Sequence, residues 1–356
     1  MKVWILGAGQ LGAMLRHAGM PLDIDVCPVA LDSTEIPAPG ADDIISPEIE
    51  HWPDTPATRA LAEHPNLVNR TVFARLADRL TQKQLIDSLG LATAPWREVD
   101  ESITVGTLYQ TLGKKVLLKQ RRGGYDGRGQ LWLKQADNTA LPDDWRGAVI
   151  AEQAIAFDEE VSLVGMRDAQ GHKVFYPLTL NLHVDGILTA SISPLPRLAT
   201  LQAQAEGMLG ALLDALDYVG VMAMECFRLG DRLLINELAP RVHNSGHWTQ
   251  AGASRSQFES HLRAICGLPL PTPTVKGLTV MINLLGVHRD DRWLTIPAAE
   301  LYWYGKEVRP ARKVGHINLC LADANAFAAI RKTLTPLLSD GYEQVLAWVA
   351  DNIGAN

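Results

Sequence analysis

The sequence contains no apolar run approaching the roughly 18 residues that a bilayer-spanning helix requires, so no membrane association is expected. It has only four cysteines in 356 residues: Cys27, Cys226, Cys266 and Cys320. They lie far apart, so neither a zinc knuckle nor a disulfide framework is indicated, and all four read as reduced thiols of the core. An excess of positive charge is also lacking. Lys and Arg total 33 against 40 Asp and Glu, a formal net charge of -7, so nucleic acid is not expected as a partner and any basic site must be local. Internal repeats and low-complexity tracts are missing, which argues against a fibrous or repetitive architecture. The segment Met1 to Leu6 runs into glycines in place of a signal-peptide core, so a cytoplasmic location is expected.

What is present is the profile of a soluble globular protein: 47% hydrophobic and 21% charged residues, in a chain long enough for two or three domains at about 150 residues each. Val3-Trp4-Ile5-Leu6 reads as a short strand, followed by the turn Gly7-Ala8-Gly9-Gln10-Leu11-Gly12 and a helical pattern through Met14, Leu15 and Ala18. A second strand, Ile24 to Leu31, ends at Asp32, where a dinucleotide-binding fold holds its ribose carboxylate. An NAD-dependent dehydrogenase is therefore one reading. Tight strand-to-helix packing in a parallel sheet accounts for the same glycines. A helix is expected from Thr81 to Leu89, strands at Val116 to Lys119 and within Val149 to Val164, and a helix from Gln202 to Leu216. Short strands and a helix from Asn325 to Leu337 follow. Gly90 to Pro95 and Pro269 to Pro273 read as boundaries, giving an expected division into 1–95, 96–270 and 271–356.

Four constellations carry possible chemistry. Lys119 sits at a strand end before Arg121, Arg122, Gly123, Gly124, Tyr125, Asp126, Gly127, Arg128, Gly129 and Gln130. Amides exposed by glycines, with a lysine beneath, suit phosphate oxygens; a solvated basic hairpin is the alternative. Next, Val221 to Phe227 and Leu233 to Leu238 read as an antiparallel hairpin. A loop of Gly230-Asp231-Arg232 sets Leu229 opposite Leu233 and Glu225 opposite Glu237, with Asn236 beside them, an all-oxygen arrangement suited to Mg2+. A two-residue loop would put the carboxylates on opposite faces. Third, Pro240-Arg241-Val242-His243-Asn244-Ser245-Gly246-His247 crowds a guanidinium, two imidazoles and an amide, a density that suits a small anion. His247, beside Trp248, reads as a structural donor. Fourth, Lys306, Arg309, Arg312, Lys313 and His316 hold one acid, Glu307, among them. In an acidic chain such a cluster suggests a phosphate-bearing ligand, or else a solvated hairpin.

The order and spacing of Lys119 with its glycine flap, Glu152-Gln153-Ala154-Ile155, Glu160, Glu225 and Asn236-Glu237 resemble the ATP-grasp fold. The motifs Gly9-Gln10-Leu11-Gly12, Gly124 to Gln130, Asn236 to His247 and Arg312-Lys313-Val314-Gly315-His316 are similar to those of the N5-carboxyaminoimidazole ribonucleotide synthetase family of bacterial purine biosynthesis. The resemblance implies an α/β and α+β chain: an ATP-grasp domain between a Rossmann-like N-terminal domain and a small C-terminal domain. It implies a ligase that uses ATP to carboxylate 5-aminoimidazole ribonucleotide with bicarbonate, with Mg2+, in a homodimer. On that resemblance Lys119 and Gly124, Tyr125, Asp126, Gly127, Arg128, Gly129 and Gln130 hold the ATP phosphates. Glu152, Gln153, Ala154 and Ile155 line the adenine slot, Glu160 takes the ribose hydroxyls, and Arg79, His183 and Asn236 reach the nucleotide. Glu225 and Glu237 bind magnesium; Arg241, His243 and Asn244 hold bicarbonate and carboxyphosphate. Asp126 contacts the substrate amine, and Gln10, Lys306, Arg312 and Lys313 face the ribonucleotide. One departure is Ala13, where the family commonly has an arginine; Arg16 lies one turn further on.

Overall fold

In the computed structural model, which describes residues 1–124, 127–137, 140–338 and 341–354, the apolar runs become strands of three sheets among the described residues. The first is parallel, ordered β2-β1-β3, from β1 (Lys2–Leu6), β2 (Asp25–Val29) and β3 (Ile44–Pro47). β1 is central, which is why Val3, Ile5 and Leu6 are all buried. The helix Gln10–Gly19 leaves the glycine turn directly after it. The second sheet is antiparallel, ordered β4-β7-β5-β6, from β4 (Trp96–Val99), β5 (Lys115–Gln120), β6 (Gln130–Lys134) and β7 (Val149–Gln153). Its core joins Val116, Leu118, Leu133 and Val149 to Leu108 and Leu112 of the helix Val105–Leu112, whose N-terminus Thr104 caps by accepting from Thr107 N.

The third sheet has nine strands: β8 (Glu159–Arg167), β9 (Lys173–Phe175), β10 (Thr179–Val184), β11 (Ile187–Ser193), β12 (Gly220–Leu229), β13 (Arg232–Ala239), β14 (Leu278–Leu285), β15 (Ala299–Trp303) and β16 (Lys313–Leu321). Its order is β13-β12-β8-β10-β11-β14-β16-β15, with β9 on β8. Strands beyond the proline cluster at 269–273 thus extend the same sheet. Alternation gives its two faces different work. On one, Leu163, Leu180, Ile192, Met224, Ile282 and Leu319 form a core with the helices Gln202–Ala215, Ala324–Leu334 and Tyr342–Ile353. On the other, Val164, Met166, Val221 and Ala223 pack with Met14, Leu15, Phe258 and Leu262. The same period of two sends Ser162, Asn181, Ser191, Glu225, Asn283, His316 and Asn318 to that second face, as a polar row across the sheet.

Several expectations change in detail. The second strand ends at Val29, before Asp32, and the helix expected to Leu337 closes at Leu334 with a 3-10 turn over Thr335–Leu337. The helix Tyr342–Ile353 was not anticipated. The hairpin loop needs correction: the turn has two residues, with Leu229 opposite Arg232 and Cys226 opposite Ile235. That register alone would separate the two carboxylates. A β-bulge leaves Asn236 unpaired, shifts the register by one residue, and brings Glu225 opposite Glu237. All four cysteines are free, and no helix among the described residues is long and apolar enough to cross a membrane.

Candidate active site

Lys119, on β5, points into a buried triad. Its Nζ lies 2.7 Å from Glu152 Oε2 and donates to Asn236 Oδ1 at 2.8 Å, while Lys83 Nζ lies 2.6 Å from Glu152 Oε1. Lys83 also donates to Thr93 Oγ1 at 2.6 Å. Burial alone would raise the Glu152 pKa, but the two ammonium groups hold it down at about 2. Two cations around one carboxylate leave the buried group net positive, a fixed attraction for phosphate oxygens. Gln153, Ala154 and Ile155 follow directly, where the chain passes from the four-stranded to the nine-stranded sheet, tied by Gln153 N to Pro95 O and Ala154 N to Lys115 O.

The carboxylates form an adjacent, negative centre. Arg79 Nη2 lies 3.2 Å from Glu237 Oε2 and donates to Gly124 O at 2.9 Å, joining the carboxylate to the start of the glycine flap. His183 Nδ1 is 2.9 Å from Glu160 Oε2 on the neighbouring strand. Burial would lower the His183 pKa, yet Glu160 and Glu225 outweigh it and raise it. Glu225 is pushed up by burial and by its carboxylate neighbours, whereas Arg79 and Lys119 overcome burial at Glu237 and lower it. Two facing carboxylates, the Asn236 oxygen taken by Lys119, make an oxygen donor set that fits Mg2+, which typically uses one or two protein carboxylates plus phosphate and water. Among the described residues no group of three or more His, Cys, Asp or Glu is arranged to hold a metal. On the flap, Gly127 and Gly129 adopt positive φ, and Gln130 pairs with Lys119 across the hairpin. Arg128 is exposed; Tyr125 and Asp126 lie outside the described residues.

The loop after β13 closes the centre. Gln257 fixes it: Oε1 accepts from His243 N at 2.9 Å, and Nε2 donates to His243 O at 2.6 Å and to His247 Nδ1 at 3.0 Å. A Cβ on Gly246 would meet Gln257 Oε1 at 2.6 Å, so glycine is required there. His243 Nε2 then lies 3.5 Å from Glu225 Oε1, and burial beside Arg241 and Lys313 keeps its pKa well below that of a free imidazole. Asn244 and Asn283 exchange side-chain hydrogen bonds, one of 3.1 Å and one of 2.5 Å. Arg241 Nη2 is 3.1 Å from Glu50 Oε1.

At the far end, the amides of the N-terminal glycine turn donate to Glu48: Gly9 N to Oε1 at 2.5 Å, and Gly12 N to Oε2. A Cβ on Gly7 would lie 2.4 Å from Glu48 Cγ, which explains that glycine. Gln10 Oε1 accepts from Lys306 Nζ. The C-terminal cations are divided. Lys313 acts electrostatically on Glu225 and His243, and Arg312 Nη1 donates to Glu307 O at 3.3 Å. Arg309 pairs with Glu307 at the surface, and His316 is buried between Tyr304 OH at 2.7 Å and Gln250 Oε1 at 3.0 Å.

Comparison with known proteins agrees with this geometry. Residues 84–258 match the model of the ATP-grasp domain, and residues 279–329 match the phosphoribosylaminoimidazole carboxylase C-terminal domain. The N5-carboxyaminoimidazole ribonucleotide synthase of Escherichia coli K12 is 53% identical over 353 residues, covering 99% of both chains. The chain belongs to the N5-carboxyaminoimidazole ribonucleotide synthase family. Among solved structures, the synthetase of Thermus thermophilus is 36% identical with a TM-score of 0.83, covering 95% of this chain and 99% of that one. The synthase of Aspergillus clavatus, in complex with ADP and 5-aminoimidazole ribonucleotide, is 26% identical with a TM-score of 0.80, covering 99% of each.

As an ATP-grasp ligase of this synthase family, the chain is not a dehydrogenase. The physical reason is visible in the glycine turn, whose inward amides are taken by Glu48 rather than left for a pyrophosphate, while Asp32 lies in an exposed turn. Sequence reasoning missed Lys83, Glu48 and Glu50. Lys83 stands one helical turn from Arg79, and Pro47-Glu48-Ile49-Glu50 places two acids at a strand end; both were available signals. Ala13 and Arg16 are both exposed on the helix Gln10–Gly19.

Proposed function

We propose that the chain carboxylates 5-aminoimidazole ribonucleotide with bicarbonate, consuming ATP and yielding N5-carboxyaminoimidazole ribonucleotide, ADP and phosphate. The observation that carries this reading is the run of contacts that makes neighbours of the Lys83-Glu152-Lys119 triad, the Glu225/Glu237 pair and the loop of Arg241, His243 and Asn244: Lys119 to Asn236, and Glu225 to His243. A bicarbonate oxygen attacks the γ-phosphorus and the bond to ADP breaks. The substrate amine then attacks the carbon of carboxyphosphate, phosphate leaves, and the amine gives up a proton.

Bicarbonate and ATP are both anions, so their approach needs fixed positive charge. Lys119 and Arg79, with the flap residues Gly124 to Gln130, hold the ATP phosphates. Gln153, Ala154 and Ile155 border the adenine at the crossing between sheets, with Glu160 and His183 toward the ribose. Glu225 and Glu237 would hold Mg2+, which when bound screens the phosphate charge. Arg241, His243 and Asn244 hold bicarbonate. Lys313 and Arg312, with Gln10 and Lys306 opposite, face the ribonucleotide, and Asp126 is assigned to its amine. Carboxyphosphate is short-lived in water, so the flap must exclude solvent until the amine attacks.

The three segments 1–95, 96–270 and 271–356 act as substrate, nucleotide and closing parts. A homodimer completes the reading. An open apolar groove of about 1090 Å³ lined by Phe175, Pro177, Leu195 and Val275, away from the cleft, supports a second copy as partner. The experiment mixes protein, MgATP, bicarbonate and aminoimidazole ribonucleotide and follows phosphate release. Release stimulated by the ribonucleotide is expected; its absence refutes the proposal.

A further inference from the structure

Beneath the bicarbonate loop, four buried polar side chains form one continuous line. Ser191 Oγ donates to Asn181 Oδ1 at 2.8 Å, Asn181 Nδ2 donates to Ser162 Oγ at 2.9 Å, and Ser162 Oγ donates to Ser245 Oγ at 2.8 Å. Ser245 Oγ lies 2.9 Å from His243 Nδ1. The four are 0–5% exposed and come from β11, β10, β8 and the loop, with Asn181 directly opposite Ser191 in the sheet register.

One backbone group reports the polarity of every link, but at 3.3 Å it is the longer of the two contacts to Nδ1, and the 2.9 Å hydroxyl contact is the one that the line of side chains controls. Ser245 N–H can only donate, and it lies 3.3 Å from His243 Nδ1. Nδ1 must therefore carry a lone pair, which puts the proton of the neutral ring on Nε2. The Ser245 hydroxyl then gives its single proton to Nδ1, so it has to accept from Ser162. Ser162, its own proton used, accepts from Asn181. The Asn181 amide is thereby oriented, and its oxygen takes the Ser191 proton. Reversing any link would set two lone pairs or two protons face to face in a region without solvent.

We infer that Ser162, Asn181, Ser191 and Ser245 are positioning residues, a buried relay that holds His243 with its Nε2 proton aimed at the reaction centre. Nε2 faces the Glu225 side of the cleft, where a neutral N–H donor can hold an oxygen of bicarbonate and cannot remove a proton. The kinetic consequence rests on the bicarbonate role proposed for His243; the tautomer does not.

The test uses the full chain with 15N-labelled histidine, reading the His243 tautomer by long-range proton–nitrogen NMR, together with steady-state kinetics. The wild type should show the Nε2–H form. Asn181→Asp is nearly isosteric, but its carboxylate accepts from Ser191 and Ser162 alike and draws the Ser162 proton away from Ser245. A second, Nδ1–H population should appear, with the KM for bicarbonate rising roughly tenfold and that for ATP little changed. Ser162→Ala removes the same link without adding charge and should act in the same direction, which keeps the inference testable if the buried aspartate prevents folding. An Nδ1–H ring in the wild type, or an unaltered tautomer in the variants that fold, overturns the relay. A shifted tautomer with an unchanged bicarbonate KM supports the relay and refutes the bicarbonate role of His243.

Discussion

Lys83 illustrates what a single residue contributes when its partner is distant in sequence. Without it, Glu152 and Lys119 would form a neutral buried pair; with it, the triad keeps a net positive charge under the flap. Lys83→Met should therefore raise the KM for ATP by about tenfold or more and lower the thermal midpoint only modestly, since the Glu152–Lys119 pair left behind is balanced and one charged hydrogen bond, worth about 1.5–3 kcal/mol, is lost. Calorimetry and ATP titration check both effects, and an unchanged ATP KM would remove Lys83 from the nucleotide site. Residues of this kind are hard to read from a string. Lys119, Arg241 and His243 stand out because their motif neighbours are adjacent, whereas Lys83 meets Glu152 only after the four-stranded sheet is formed. Glu48 meets Gly9 and Gly12 in the same way, across the first parallel sheet.

At the scale of elements, the β12–β13 hairpin shows that a correct pairing can be reached through an incorrect turn. Apolar alternation made both strands legible, and the facing of Glu225 and Glu237 was anticipated. The two-residue turn and the Asn236 bulge were not, because a bulge leaves no periodic signature when the residue it ejects is polar on a polar face. The bulge also explains the use of Asn236: freed from regular pairing, its side chain reaches Lys119 Nζ at 2.8 Å. The facing of the two carboxylates and the partner of Lys119 are thus set by one irregularity. Glu237→Gln should abolish turnover at ordinary magnesium while leaving the fold intact. Its carboxylate is balanced by Arg79 rather than by the core, and its side chain is 37% exposed, so the loss falls on chemistry more than on stability. Far-ultraviolet circular dichroism and phosphate release measured side by side check this. Near-normal turnover would exclude Glu237 from the proposed magnesium pair.

For the whole molecule, the net charge of -7 sharpens the reading of the cations gathered around the β12–β13 hairpin, where Lys119 reaches Asn236 and Arg241 and Lys313 both act on His243. That convergence depends on how firmly the first sheet is seated on the large one, and His261 is part of the seat. From the helix Gln257–Ile265 its Nδ1 accepts from Val221 N at 3.1 Å, so its Nε2 carries the proton and donates to Ser46 Oγ at 2.9 Å. Burial lowers its pKa to about 4 and that of His247 to about 3. In the unfolded chain both return to ordinary values near 6.5 and bind protons that the fold refuses. The unfolded state therefore holds more protons than the native state as pH falls below about 6.5, and stability must decline through that window toward pH 4. His261 alone accounts for on the order of 3 kcal/mol when its displacement is fully expressed, at about 1.4 kcal/mol per pH unit. Urea midpoints should accordingly drop between pH 7.5 and pH 5 against the opposing trend of Glu225, which at about 7 takes up its proton in the fold before it does in the unfolded chain, while Glu152, held at about 2, loses its contribution only below pH 4.5. Replacing His261 by Asn, which cannot titrate, should flatten the pH 7.5 to pH 5 slope whatever it does to stability at neutral pH; an unchanged slope would assign the acid sensitivity to other groups.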